Sequence, residues 1–144
     1  MATKRDNPYG NFNFVVDLGG GETGGFSEVT LPEAAVDVIE YREGADKHSA
    51  VRKLPGRVRY GNLVLRRGVT GATDLYDWWR AVRDGGLDRR NVTVVLQNDA
   101  REPVLAWRVR NAWPVRYACS PLRGDGAEVV VETLELAHEG VELE

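Results

Sequence analysis

The chain has 144 residues, enough for one domain that buries most of its apolar surface without staples. With 42% hydrophobic and 28% charged residues it has the composition of a globular protein, which excludes a disordered chain. A formal net charge of −3 argues against a dedicated nucleic-acid binder, and the lone Cys119 excludes an intramolecular disulfide.

The amino end, Met1 to Gly10, is polar and lacks the apolar stretch of a secretory signal. Residues 1–8 read as a polar arm, and nothing divides the remainder, so 1–144 is expected to be a single domain. The longest apolar runs, such as Val92 to Leu96, fall far short of a membrane span. The protein is therefore expected to be made and kept in the cytoplasm, or to leave it inside a larger particle.

The dominant hydrophobic period is two. Phe12, Phe14, Val16 and Leu18 share one face of an extended segment, and Asn11, Asn13 and Asp17 the other. Gly19 to Gly25 is a glycine-rich turn, after which Phe26 to Val29 restarts a strand, so the pair reads as a hairpin with a loose tip. Ala35 to Tyr41 is a third strand. Residues 42–53 are charged and poor in apolar side chains, and they read as a long loop ended by a turn at Leu54-Pro55-Gly56. Loops of that length are uncommon unless they do something. Arg57 to Arg67 is a strand pair or one bent strand, with a parity slip at Gly61-Asn62.

One helix stands out. Thr73 is its expected cap, Asp74 suits the positive end of the macrodipole, and Gly85-Gly86 stops it. Between them Leu75, Trp78, Trp79 and Val82 follow the i, i+3, i+4, i+7 pattern of a buried face. Asn91 to Gln97 and Pro103 to Asn111 form a hairpin, which Trp113-Pro114 is expected to end because proline cannot donate to a ladder. Ala127 to Ala137 closes the chain as a long strand. Its apolar residues fall on both faces, Val129 and Val131 on one and Val130, Leu134 and Leu136 on the other, which suggests that something covers the second face. The fold class is mainly β, a sandwich or small barrel with one flanking α-helix.

Few residues suggest chemistry. His48 and His138 have no serine, cysteine or carboxylate motif around them and read as surface or interface residues. Cys119 has no placed base and is expected to be a small, buried or half-buried side chain. The Gly19 to Gly25 run is not followed by Gly-Lys-Ser/Thr or by a helix, so it is not a phosphate loop. Glu40, Glu43 and Asp46 are too loosely spaced for a calcium loop. Arg57 with Arg59, and Arg108 with Arg110, share strand faces, with Arg66, Arg67 and Arg116 nearby in sequence. Such a stripe either contacts phosphates or forms a solvated or ion-paired outer face, and the negative net charge favours the latter. No cofactor, metal or catalytic constellation is expected, and the chain reads as a non-enzyme.

Several segments, in order, resemble the tail tube protein family of contractile-tailed phages and related contractile injection systems. They are Asn7-Pro-Tyr-Gly-Asn-Phe-Asn-Phe14, Gly25-Phe-Ser-Glu-Val29, Val38-Ile-Glu-Tyr-Arg-Glu-Gly44, Lys53-Leu-Pro-Gly56 and Tyr60-Gly-Asn-Leu-Val-Leu-Arg-Arg-Gly-Val-Thr70. Asp74-Leu-Tyr-Asp-Trp78, Arg89-Arg-Asn-Val92, Arg110-Asn-Ala-Trp-Pro114 and Glu132-Thr-Leu-Glu-Leu-Ala-His-Glu-Gly140 follow. The chain departs from the family pattern at Leu31-Pro32, where relatives tend to carry a turn glycine, and in its glycine-rich 19–25 tip.

The resemblance implies a β-sandwich or barrel whose strands are completed into one continuous barrel by ring formation. It implies homo-hexameric rings stacked into an inner tube, a conduit for protein or DNA cargo inside a contractile sheath. The partners it implies are further copies of the chain, the sheath protein, baseplate and spike hub proteins and a tube terminator. This chain itself would not insert into a membrane. Arg42, Glu43, Asp46, Lys47, Arg52 and Lys53 of the charged loop are the candidate subunit-interface residues, and Arg108 and Arg110 the candidate lumen-facing ones. Two other readings compete. One is a baseplate-proximal tube initiator, and the other is a monomeric carbohydrate- or nucleic-acid-binding sandwich using Trp78, Trp79 and the arginines.

Overall fold

Segments that alternate apolar and polar side chains fold as antiparallel strands, each apolar row turned to a common core. The computed structural model describes residues 7–20, 23–45 and 51–144. In chain order its strands are β1 (Phe14–Asp17), β2 (Thr23–Gly24), β3 (Glu28–Thr30), β4 (Ala34–Tyr41), β5 (Arg52–Tyr60) and β6 (Leu63–Gly68). After the helix α1 (Asp74–Arg83) come β7 (Arg90–Gln97), β8 (Pro103–Cys119), β9 (Val131–Ala137) and β10 (Val141–Leu143).

The main sheet runs in the order β2-β1-β7-β8-β9-β6-β3, with β10 paired to β8 as well. β8 has 17 residues and serves both halves of the sheet. Its first half pairs with β7 and β10, and its second half with β9. Val16, Val92, Val94 and Val109 from one half meet Leu63, Leu65, Leu134 and Leu136 from the other in a single buried cluster, which Leu75 and Trp78 of α1 complete. The fold is thus mainly β with one packed helix.

Helix α1 forms where the i, i+3, i+4 pattern places it, but its ends differ in kind. Thr73 does not cap with its side chain. Its Oγ1 donates instead to Asp77 Oδ2 at 2.9 Å, while its carbonyl accepts the Asp77 N–H. The carboxyl end is a Schellman stop. Gly85, at φ +93, donates to Val82 and Gly86 donates to Ala81.

Three expected boundaries move. β8 does not end at Trp113-Pro114, because Pro114 sits at a register shift where the strand changes partner, and its missing N–H breaks no regular ladder there. The closing strand starts at Val131, not Ala127, so Val129 lies outside it. Within β9 only Glu132, Leu134 and Leu136 are buried, a clean alternation. The expected hairpin of Phe12–Leu18 with Phe26–Val29 also divides, because β1 pairs with the short β2 whereas β3 crosses to β6.

β10, which the periodicity did not suggest, returns along β8 after a turn at residues 138–140. Gly140 has φ +149 there, and a Cβ on it would run into the Arg110 guanidinium. Gly140→Ala is expected to cost about 1–3 kcal/mol, read as a lower urea midpoint. An unchanged midpoint would mean that the turn relaxes freely.

Candidate functional site

β4 and β5 leave the main sheet and pair with each other in a separate two-stranded ribbon. The long charged loop is therefore shorter than expected. Arg52 and Lys53 belong to β5, opposite Tyr41 and Glu40, and the connection between the strands covers 42–51. Leu54-Pro55-Gly56 is not a turn. Between the pairs Val36↔Val58 and Val38↔Pro55, Gly56 and Arg57 together oppose Asp37, which is a β-bulge. A ribbon with two open edges tolerates Pro55, and glycine at 56 makes room for Ile39, whose Cγ1 would lie 2.9 Å from a Cβ at that position.

Alternation along this register gives the ribbon two unlike faces. Ala34, Val36 and Val38 share one face with Tyr60, Val58 and Pro55, and the stripe ends at Glu40 opposite Lys53. On the other face Asp37 and Arg59 form an ion pair at 2.9 Å, followed by Ile39, Leu54 and Tyr41. Val36, Val38, Ile39, Leu54 and Val58 are all exposed, Val38 by 64%. Neither strand packs extensively on another element. An isolated two-stranded hairpin is marginal in water, and clustered exposed apolar residues mark an interaction surface.

The residues expected at the interface fall around this ribbon. Arg42 and Glu43 follow β4, with Glu43 Oε1 accepting from the Tyr41 hydroxyl at 3.4 Å. Asp46, Lys47 and His48 lie outside the described residues. The periodicity of residues 35–41 marked a strand, but the exposure of its apolar side chains has no signal in one sequence, and these residues were not among the interface candidates.

The arginines do not form a phosphate stripe. Four meet a carboxylate, Arg59 with Asp37, Arg66 with Glu28, Arg108 with Glu144 at 2.9 Å and Arg116 with Glu135 at 4.0 Å, and Arg57 is exposed on the ribbon. Arg110 is exposed and donates to the Glu139 carbonyl at 3.3 Å. Arg67 lies inside, 8% exposed. Its Nε donates to Glu132 Oε1 at 2.6 Å, its Nη atoms reach Asp74, and it stands over the Phe26 ring. Glu132 also accepts from the Tyr117 hydroxyl at 2.6 Å. Burial first, and then the bond to Glu132, holds the Tyr117 phenol protonated well above the usual tyrosine range.

The hydrogen bond from Arg67 holds the Asp74 carboxyl below the usual carboxylate range. A lowered folded-state pKa contributes stability that is present above the unfolded value and lost as pH falls through the folded one. Asp74→Asn is therefore expected to flatten the fall of the urea midpoint below about pH 4. An acid limb as steep as the parent's would contradict this.

Trp78 is buried, with Nε1 donating to the Asp88 carbonyl at 2.7 Å, and Trp79 is half-buried beside Tyr76. Trp78 is not free to stack on a base or sugar, and Arg83 stands 5.6 Å over the Trp79 ring. Cys119 is exposed at the end of β8, contrary to the expected burial, because β8 runs on past Pro114 to the rim of the sheet. Among the described residues no group of three or more His, Cys, Asp or Glu is placed to hold a metal, and no helix is long and apolar enough to cross a membrane.

A mainly β chain with one helix and an uncovered apolar ribbon suits assembly better than catalysis. Residues 10–142 match the family model for the T4-like virus tail tube protein gp19. The chain belongs to this tail tube family. No curated protein sequence matches it.

Solved structures agree with that membership. A chain of the anti-feeding prophage baseplate, determined by cryo-EM with six-fold symmetry, has a TM-score of 0.87 at 26% identity, covering 97% of each chain. A chain of the PVC sheath-tube complex, an extracellular contractile injection system in its extended state, has a TM-score of 0.86 at 28% identity, covering 96% of this chain and 93% of that one. Hcp1 from Flavobacterium johnsoniae, at 15% identity and a TM-score of 0.57 over 92% and 94% of the two chains, shares the fold. The protein is a tail tube protein, a structural component of a phage tail or phage-tail-like particle.

Proposed function

We propose that this tail tube protein builds the inner tube of a contractile machine as a non-enzymatic subunit. Hexameric rings of it stack into a conduit inside a contractile sheath. The observation that carries the reading is the β4–β5 ribbon, whose apolar side chains are exposed on both faces in a chain of the tail tube family. A second copy of the chain is the natural cover. Tube rings repeat one subunit, so a patch left open on one copy is covered by the next.

Ring closure would also pair the edge strands β2 and β3 across subunits, joining the main sheets of neighbouring copies into one barrel and removing exposed edges. Polar contacts from Arg42, Glu43, Asp46, Lys47, Arg52 and Lys53 would fix register around the apolar ribbon. Arg108 and Arg110, on an outward face of β8, remain the candidates for the lumen wall, where Arg108 is already balanced by Glu144. A lumen of balanced charge lets cargo, protein or DNA, pass without sticking. The sheath, the baseplate and spike hub and the tube terminator are the expected partners. The single tube domain assembles with them in the bacterial cytoplasm. Force comes from the sheath, and the tube is a passive pipe.

Electron microscopy of the purified protein beside sedimentation velocity tests the reading. Rings or tubes are expected without any ligand. A species that stays monomeric even with its own baseplate present would overturn the proposal. A monomer that shifts on adding oligosaccharide or single-stranded DNA would favour the binding-module reading.

A further inference from the structure

The ribbon meets the rest of the molecule at its base, and there one side chain joins two turns. His138 follows β9, and its Nε2 lies 2.7 Å from the Gly61 carbonyl oxygen while its Nδ1 lies 3.1 Å from the Gly140 nitrogen. A carbonyl oxygen only accepts and a backbone N–H only donates, so the two bonds together place the ring proton on Nε2. The imidazole also lies against Tyr60, with centroids 5.8 Å apart and planes tilted by 51°. Tyr60 is the last residue of β5 and Gly61 the next. Gly61 in turn donates its N–H to the Glu33 carbonyl at 2.8 Å, just ahead of β4. The end of β5 is therefore held by His138, and the start of β4 is tied to the same point through Gly61. One residue further on, Asn62 donates to Glu135 of β9 at 2.8 Å, securing the start of β6 to the same neighbour strand.

We infer that His138 is a positioning residue for assembly, a latch that sets the angle at which the β4–β5 ribbon leaves the main sheet. This rests on the reading that the ribbon docks on a second copy. The physical reason is leverage. At about 3.3 Å per residue, nine-residue β5 spans roughly 30 Å. A swing of roughly 20° at its base would carry the tip about 10 Å, several side-chain widths, and interfaces pack to the density of protein interiors. With little packing along its length, the ribbon takes its direction from its base. The imidazole supplies what that needs: a donor to one turn, an acceptor for another, and a flat surface for Tyr60.

The test separates direction from docking. In a Cys119→Ser background, spin labels at Glu40→Cys on the ribbon and Asp99→Cys on the β7–β8 turn report the ribbon angle, with subunits kept too dilute to assemble. His138→Phe keeps the ring on Tyr60 but loses both hydrogen bonds, and His138→Gln keeps a donor that can reach Gly61. The expected result is a narrow distance distribution in the parent and His138→Gln, and a broad one in His138→Phe. Unlabelled His138→Phe should need at least about ten times more protein to form tubes, while its urea midpoint matches that of His138→Gln. A narrow distribution in His138→Phe would overturn the latch and leave the docking reading standing. So would a broad distribution with tubes forming at parental concentration, or a failure of His138→Gln to restore the narrow one. The docking reading fails on a different result, normal tubes from variants that place charge on the ribbon faces.

Discussion

Glu132→Ala is expected to destabilise the unassembled subunit by about 3–5 kcal/mol, because it leaves the Arg67 guanidinium buried without its best partner. The two side chains are 10% and 3% exposed, so water cannot replace the lost carboxylate. Burial works to lower the Arg67 pKa, but the hydrogen bonds to Asp74 and Glu132 outweigh it and hold the guanidinium charged. Alanine also strands the Tyr117 hydroxyl and opens space beneath β6 and β9. Asp74 cannot compensate, since its side chain is half exposed and already bound to Arg67. Domains are stable by about 5–15 kcal/mol, so the loss would take a large part of the total and lower Tm by roughly 10 °C or more. Urea titration at neutral pH measures it. A change below about 1 kcal/mol would mean that Arg67 finds water or a new partner. The paired substitution Arg67→Met with Glu132→Leu removes both buried charges and is expected to recover much of that loss, because a buried ion pair replaced by apolar residues is often neutral or stabilising. It is expected to stay below the parent because the Tyr117 hydroxyl and Asp74 still lose their partners.

That pair also shows where the sequence stops being legible. Helix α1 is readable because its signals lie within one short stretch: Leu75, Trp78, Trp79 and Val82 at helical spacing, then Gly85-Gly86 to stop it. Arg67 and Glu132 stand 65 positions apart, and either alone resembles a surface charge on an alternating strand. Their burial follows from the pairing of β6 with β9, which sets Arg67 directly opposite Glu132. Pro114 misleads for a related reason. A proline forbids a regular ladder position, but β8 places it where the ladder changes partner, and which strands pair is a nonlocal fact. β10 is three residues long, too short for periodicity to register. A covered second face was expected on the closing strand, from Val129 and Val131 on one side and Val130, Leu134 and Leu136 on the other. Val129 is exposed but precedes β9, while Leu134 and Leu136 are buried in the core. The apolar surface of β4 and β5 went unread because the alternation of Val36 with Val38 says nothing about whether either face is covered.

Placing glutamates on the apolar face of the ribbon is expected to abolish tube assembly while leaving the subunit folded. Val38 and Val58 are 64% and 55% exposed and lie on one face, so Val38→Glu with Val58→Glu removes little burial from the isolated chain. Surface substitutions of this kind shift stability by about 0.5 kcal/mol or less. If a second copy covers the face, each glutamate must be desolvated without a partner, which costs several kcal/mol unless it finds a cation. Because about 1.4 kcal/mol is tenfold in an association constant, tube formation should need at least about 100 times more protein. Ile39→Glu makes the same test on the opposite face, where Ile39 meets Leu54 and the Asp37–Arg59 pair lies nearer the base. Sedimentation and electron microscopy give the readout, with circular dichroism and the urea midpoint confirming that the subunit is folded. Loss of tubes from one face alone would assign that face to the contact between copies and leave the other to solvent. Loss from both would make the ribbon a wedge held between two neighbours. Tubes forming from both variants at the parental concentration would show that the ribbon stays in water after assembly, and the exposed valines would then need another explanation.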